Sequence, residues 1–211
     1  LKTDSVTVVP DLFQFGSSNG AIPGYALAPG AYTLRLKQGD NITEQPFELR
    51  WDPNFSYEQA RITAQQTQTR KVFEMLDEIY RSILSFQTVK KQVEARIKIT
   101  ENIDEMKDAH DEAKSIIKAI ETWEAQLINP KRTSDQALNH EPRLSFHLSN
   151  LLSNTNSSMS GLTQGLRDRY RDLESEWQTA MTARDTLLAE DIATFNNNVD
   201  TAIIIPSIDR K

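Results

Sequence analysis

Residues 56–98 read SYEQARITAQQTQTRKVFEMLDEIYRSILSFQTVKKQVEARIK, with neither glycine nor proline. Ile62, Thr69, Leu76, Ile83 and Ile97 lie seven or fourteen positions apart, and Val72, Ile79, Phe86 and Val93 form a second series offset by three. That spacing lines both series along one stripe of a helix. Phe73, Tyr80 and Leu84 widen the stripe, which suits a bundle better than a two-stranded coil. Ser56-Tyr57-Glu58-Gln59 has the form of a capping box. The spacing therefore predicts one helix over about 57–98, about 63 Å long at 1.5 Å per residue.

The helical signal continues downstream. Ile103, Met106, His110, Ala113, Ile117, Ile120 and Leu127 keep the rhythm over 102–128, with Ile116 and Trp123 beside them, and Asn129-Pro130 stops it. The connection Ile99-Thr100-Glu101 is short, so these two helices should be antiparallel neighbours. Residues 129–162 are polar and read as a loop; only Leu144, Phe146, Leu148, Leu151 and Leu152 could bury a short helix, and 154–160 read as loop. A third long helix is predicted over 163–199, with Leu166, Tyr170, Leu173, Trp177, Ala180 or Met181, Leu187 or Leu188, Ile192, Phe195 and Val199 on its buried face. The apolar tail over 202–206, Ala202-Ile203-Ile204-Ile205-Pro206, should run extended and dock on the protein. Leu76, Ile79, Ile83, Ile117, Ile120, Leu173 and Trp177 are the expected bundle core.

Upstream the punctuation changes. Five of the seven glycines and five of the eight prolines precede Asn54. In Tyr32-Thr33-Leu34-Arg35-Leu36-Lys37 and in Phe47-Glu48-Leu49-Arg50-Trp51, apolar and polar residues alternate, and Gln38-Gly39-Asp40-Asn41 between them is a turn. This is a β-hairpin with one wet face. Val6-Thr7-Val8 is a weaker strand that Pro10 confines to an edge or an end. Seven strands in about 100 residues are needed for an immunoglobulin-like sandwich; residues 1–53 are too short for that and read as a partial Ig-like element, either a reduced sandwich or one whose missing strands lie upstream of Leu1. The expected fold is thus mainly α with a small β element. A short antiparallel sheet in 1–53 is followed over 54–211 by an antiparallel three-helix bundle, or a four-helix one if 144–152 is helical.

Composition narrows the function. The net charge of −6, from 24 Lys+Arg against 30 Asp+Glu, leaves no basic excess for coating nucleic acid. Mean hydropathy is −0.55 and no apolar run is long enough for a membrane span. Without cysteine there are no disulfides, thiolate metal sites or cysteine nucleophiles. The start at Leu1, without an initiator methionine or signal segment, reads as a piece of a longer protein.

Side chains that could carry chemistry are scattered. His110 occupies a predicted core position among Asp104, Glu105, Asp108, Asp111 and Glu112, but position 107 is Lys, so the Glu-x-x-His element of a di-iron bundle is absent. His110 is read as a packed, hydrogen-bonded core histidine. His140 and His147, near Ser145, Ser149 and Ser153, are read as surface-loop residues, with no nucleophile elbow and no glycine-rich phosphate loop in the chain. Lys90, Lys91, Arg96 and Lys98 make a modest basic cluster diluted by Glu94 and Glu101. Asn41, Asn54 and Asn156 each begin an Asn-x-Ser/Thr triplet. No catalytic, cofactor-binding or metal-binding residues are assigned.

Pro29-Gly30-Ala31-Tyr32-Thr33-Leu34-Arg35-Leu36, then Gln45-Pro46-Phe47-Glu48-Leu49-Arg50-Trp51-Asp52-Pro53, then a long heptad helix, resembles the C-terminal region of large secreted bacterial proteins carrying a sortilin-like β-propeller of BNR (Asp-box) repeats. The likeness covers about residues 24–98 and, more loosely, 162–205; Leu49 and Trp51 stand where that family more often has Val and a charged residue. The resemblance implies a hairpin leading into a helical segment, outside the cytoplasm. The expected function is a non-enzymatic accessory module of a larger secreted or periplasmic protein. It would pack on or project from a β-propeller and contact protein, without cofactor, nucleic acid or membrane span. The alternatives are the closing segment of a hydrolase-like enzyme whose active site lies upstream, or a free-standing helical adaptor.

Overall fold

The computed structural model describes residues 1–10, 12, 21–50, 52–54, 58–129, 141–158, 161–193 and 195. Its spine is α1, Gln59–Thr100. The heptad stripe is the buried face: Val72, Leu76, Ile79, Ile83 and Phe86 are fully enclosed, with Thr69, Met75, Tyr80, Val89 and Val93 beside them. Ser56 and Tyr57 of the expected capping box lie outside the described residues. Glu58 is the N-cap and makes no side-chain cap bond.

A short 3-10 turn, Asp104–Met106, leads into α2, Lys107–Leu127. Thr100 meets His110, Lys90 meets Glu121, and Phe86 meets Trp123 edge-on at 5.0 Å. Partner numbers rise as those of α1 fall, so the two helices are antiparallel, as the short connection requires. Ile103 is not on the buried face of α2: it lies in the turn before it and is 46% exposed.

The segment read as loop contains α3, Leu144–Ser157. Leu144, Leu148, Leu151, Leu152 and Thr155 recur at helical spacing and are buried. Burial of this stripe carries the helix through Asn154-Thr155-Asn156-Ser157, whose polar composition alone reads as loop. Gln65 Nε2 donates to the carbonyls of Thr155 (2.6 Å) and Ser158 (2.8 Å), and Asn129 Nδ2 donates to the Glu141 carbonyl. Hence α3 begins where α2 stops and runs back to the start of α1. α2 and α3 lie end to end along α1.

The last long element is α4, Gln164–Thr186, capped by Thr163, whose side chain accepts from the Leu166 amide. It passes into a π-helical stretch, Leu187–Ile192; the expected end near 199, with Val199, lies outside the described residues. It runs parallel to α1: Gln68 Nε2 donates to the Leu166 carbonyl, while Arg184 Nη1 reaches Glu78 Oε1 at 2.7 Å and Ser82 Oγ at 3.0 Å. Trp123 Nε1 donates to the Ala180 carbonyl at 2.8 Å, which places α4 across α2 as well. The architecture is four helices giving a three-helix cross-section. Leu76, Ile79, Ile83, Ile120 and Leu173 are fully buried as expected; Ile117 and Trp177 are only partly buried, and Ile116 takes the inward position on α2. The 202–206 tail and its docking lie outside the described residues.

The β region divides in two. Residues 1–9 and 21–28 form an antiparallel clasp, not a named strand pair: Thr3 N–H bonds to the Tyr25 carbonyl, Val6 N–H to Ile22, and Leu27 N–H to Leu1. Gly24 allows this close approach, because a Cβ there would overlap the carbonyl oxygens of Thr3 and Asp4. Val6, Val9 and Ile22 join the same hydrophobic core as the helices, so that core runs across the boundary near residue 53. Asp77 of α1 secures the clasp: its Oδ1 accepts from the Thr7 amide at 2.8 Å and the Thr7 hydroxyl at 2.7 Å. Tyr25 packs edge-on against Phe73 at 5.3 Å.

The second part is a ribbon of β1, Gly30–Gln38, and β2, Asn41–Leu49, paired antiparallel in the register Gln38↔Asn41, Leu34↔Gln45, Tyr32↔Phe47. The loop is Gly39-Asp40, with Gly39 at φ +60°, as a two-residue hairpin turn demands. No third strand joins this sheet among the described residues.

Candidate functional site

The ribbon is the feature that the fold leaves unused. Alternation places Tyr32, Leu34, Leu36 and Phe47 on one face, and sequence reasoning expects that face to be covered. Instead both faces are open along most of the ribbon. Leu34 is 63% exposed, Leu36 66%, and Ile42, on the opposite face, 55%. They are three of the seven large hydrophobic side chains exposed among the described residues. Only the base is partly sheltered. There Tyr32 stacks on Phe47 at 5.7 Å and donates its hydroxyl proton to the Ala28 carbonyl at 2.6 Å. Arg35 pairs with Glu44 across the strands at 2.6 Å. A two-stranded hairpin is marginally stable by itself in water, and this one is open on both faces along most of its length.

Of the buried polar side chains among the described residues, Thr69, Asp77, Ser82, His110 and Thr155 have structural partners. His110 is buried and its Nε2 lies 2.7 Å from Thr100 Oγ1, which ties the turn between α1 and α2. Among the described residues no group of three or more His, Asp or Glu side chains is placed to hold a metal ion. His147 is not a loop residue: it sits on α3, and burial together with Arg169 lowers its pKa. His140 lies outside the described residues. Lys90 of the basic cluster bonds Glu121 at 2.7 Å. Arg184, at the α4–α1 contact, bonds Glu78 and Ser82 and also Asp185 at 3.0 Å. Tyr170 donates to Glu174 at 2.5 Å, and burial and that bond push its pKa well up.

Two buried polar atoms, Glu124 Oε1 and Trp177 Nε1, have no hydrogen-bond partner among the described residues. Burial raises the Glu124 carboxyl, while nearby Lys90 opposes the shift and Glu121 adds to it. Beside Trp123, a groove of about 580 Å³ opens between α2 and the α4–π junction, lined by Lys118, Ala119, Ala183, Leu187 and Asp191. Of the triplet asparagines, Asn41 stands exposed at the hairpin turn and Asn54 is exposed, whereas Asn156 uses Oδ1 to accept from the Ala26 amide at 2.8 Å. No helix among the described residues is long and apolar enough to cross a membrane.

The open edges were not legible in the sequence: the Val6–Val8 segment expected as a further strand bonds instead within the clasp, at Ile22, and leaves both edges of the ribbon unpaired among the described residues. Compared with models of protein families, with characterised proteins and with solved structures, the chain finds no match.

Proposed function

We propose that this chain is a non-catalytic contact module, an accessory part of a larger secreted or periplasmic protein, and that the β1–β2 ribbon is its contact element. One observation carries the reading: a nine-residue-stranded ribbon stands clear of the helices with Leu34, Leu36 and Ile42 in water. Exposed apolar surface of this kind marks protein contact sites. The clasp and the Asp77–Thr7 bonds hold the base of the ribbon on a rigid bundle, which suits presentation of a docking element. The extracytoplasmic setting and the propeller neighbour rest on the resemblance of residues 24–98 to the propeller-associated family.

The test is site-specific photo-crosslinking in the protein as its source expresses it, with a benzophenone side chain at Leu36 and a control at exposed Glu94. Mass spectrometry should map the Leu36 crosslinks to defined residues of a protein. Crosslinks no more frequent from Leu36 than from Glu94 would overturn the reading.

A further inference from the structure

We infer that the ribbon pairs with the ribbon of a second copy of this chain, β1 to β1 antiparallel about Leu34, giving a four-stranded sheet across a two-fold axis. The inference rests on the contact-module reading and names its partner.

The hydrogen-bonding geometry selects the edge. With a two-residue loop, Gln38↔Asn41 is a hydrogen-bonded pair, and alternation makes Leu36↔Thr43, Leu34↔Gln45 and Tyr32↔Phe47 the same. Ala31, Thr33, Arg35 and Lys37 therefore turn their amides and carbonyls outward along β1. On β2 the outward positions are Ile42, Glu44, Pro46 and Glu48. Pro46 has no N–H to donate, so it interrupts the β2 edge in its middle, the usual guard on an edge that must not pair. The β1 edge carries no proline along Gly30–Gln38; its outward charged residues are Arg35 and Lys37.

Charge then selects the partner and the register. Pairing β1 with itself about Leu34 sets Leu34 against Leu34, Tyr32 against Leu36, Thr33 against Arg35 and Ala31 against Lys37. Every cation faces a small neutral residue and stays free to keep its own ion pair, as Arg35 does with Glu44. The apolar face becomes continuous across the four strands: Phe47, Tyr32 and the second copy's Leu36 on one side of the axis, the mirror set on the other. Moving the axis to Arg35 opposes two arginines, and moving it to Leu36 opposes Arg35 to Lys37; like charges directly opposite are destabilising. Moving it to Thr33 shortens the overlap. The strand is thus self-complementary in one register. Four strands with a shared apolar face also satisfy the need that two strands alone do not.

The experiment is sedimentation velocity on the purified chain between about 1 and 100 μM, a range that spans dissociation constants of weak to moderate dimers. A concentration-dependent dimer of twice the 24.0 kDa chain is expected. Thr33→Pro removes an outward amide that the hairpin itself does not use, and Leu34→Asp places two carboxylates face to face on the axis without touching the backbone. Each should weaken the dimer at least about tenfold. Glu48→Pro, on the edge already carrying Pro46, should leave it within about twofold. A chain that stays monomeric throughout overturns the inference, as does a dimer that survives both β1 variants. A monomeric chain that still crosslinks from Leu36 to another protein overturns the self-pairing alone and leaves the contact-module reading standing.

Discussion

Replacing Asp77 by alanine should release the N-terminal clasp from the bundle. Asp77 is a mid-helix carboxylate, 8% exposed, and its Oδ1 takes two hydrogen bonds from Thr7, at 2.8 and 2.7 Å. Hydrogen bonds to a charged group contribute about 1.5–3 kcal/mol each. Thr7 is only half-buried, so water can reach the groups left behind, and the lower end applies: about 3 kcal/mol for the two. The ion pair to Arg81 at 2.5 Å adds little, because the Arg81 side chain is 65% exposed and exposed pairs contribute about 0–1 kcal/mol. For a chain of this size about 3 kcal/mol corresponds to a fall in Tm of about 6–12 °C if unfolding is cooperative. If the clasp opens by itself, the same energy speeds exchange of the Val6 and Thr3 amides about a hundredfold, since those amides bond only across the clasp, to Ile22 and Tyr25. Differential scanning fluorimetry and hydrogen exchange read the two cases. Thr7→Val, which removes only the hydroxyl bond, should lose about half as much, and the two substitutions together no more than Asp77→Ala alone. A Tm within about 2 °C of wild type with unchanged Val6 protection would refute the claim that Asp77 holds the clasp.

Other substitutions test the remaining parts of the fold. Leu76→Ala and Ile83→Ala, at fully buried positions, should each cost about 2–5 kcal/mol in denaturant unfolding, and Ile117→Ala, at a partly buried one, clearly less. Gly24→Ala should destabilise through overlap with the Thr3 and Asp4 carbonyls, with faster exchange at Thr3 as its signature; a neutral result would show that the clasp can shift apart freely. Glu124→Gln should raise Tm at neutral pH. Burial holds the folded carboxyl above its unfolded pKa, so the folded state binds the proton more tightly. The destabilisation is absent below the ordinary carboxylate range and grows as pH rises through the folded pKa. The variant's advantage should therefore shrink as pH is lowered toward about 4, and a constant advantage would point to packing instead.

The helices and the hairpin were readable because their signals are local. A 3.5-residue rhythm from Ile62 to Ile97 and a period of two from Tyr32 to Lys37 each constrain which side chains share a face. Such patterns do not say what lies opposite the face. Whether α3 exists depended on a partner: Leu144, Leu148, Leu151 and Leu152 form a weak stripe in a polar stretch, and only contact with α1 and the Gln65 bonds make Asn154–Ser157 helical. The choice of Ile116 over Ile117 was likewise a rotation of α2 by one residue, set by Trp123 reaching α4 and Phe86. Asp77 falls between heptad positions and looks like any solvent-facing acid; it becomes a clasp only when Thr7, seventy residues away, is folded against it. The ribbon is the reverse case. Its alternation promised a covered face, and the tertiary structure left that face open, because the helices bury their stripes against one another and against Val6, Val9 and Ile22. Periodicity determines which surfaces want to be buried, whereas the order in which those surfaces find one another, a property of the whole chain, decides which of them remain free.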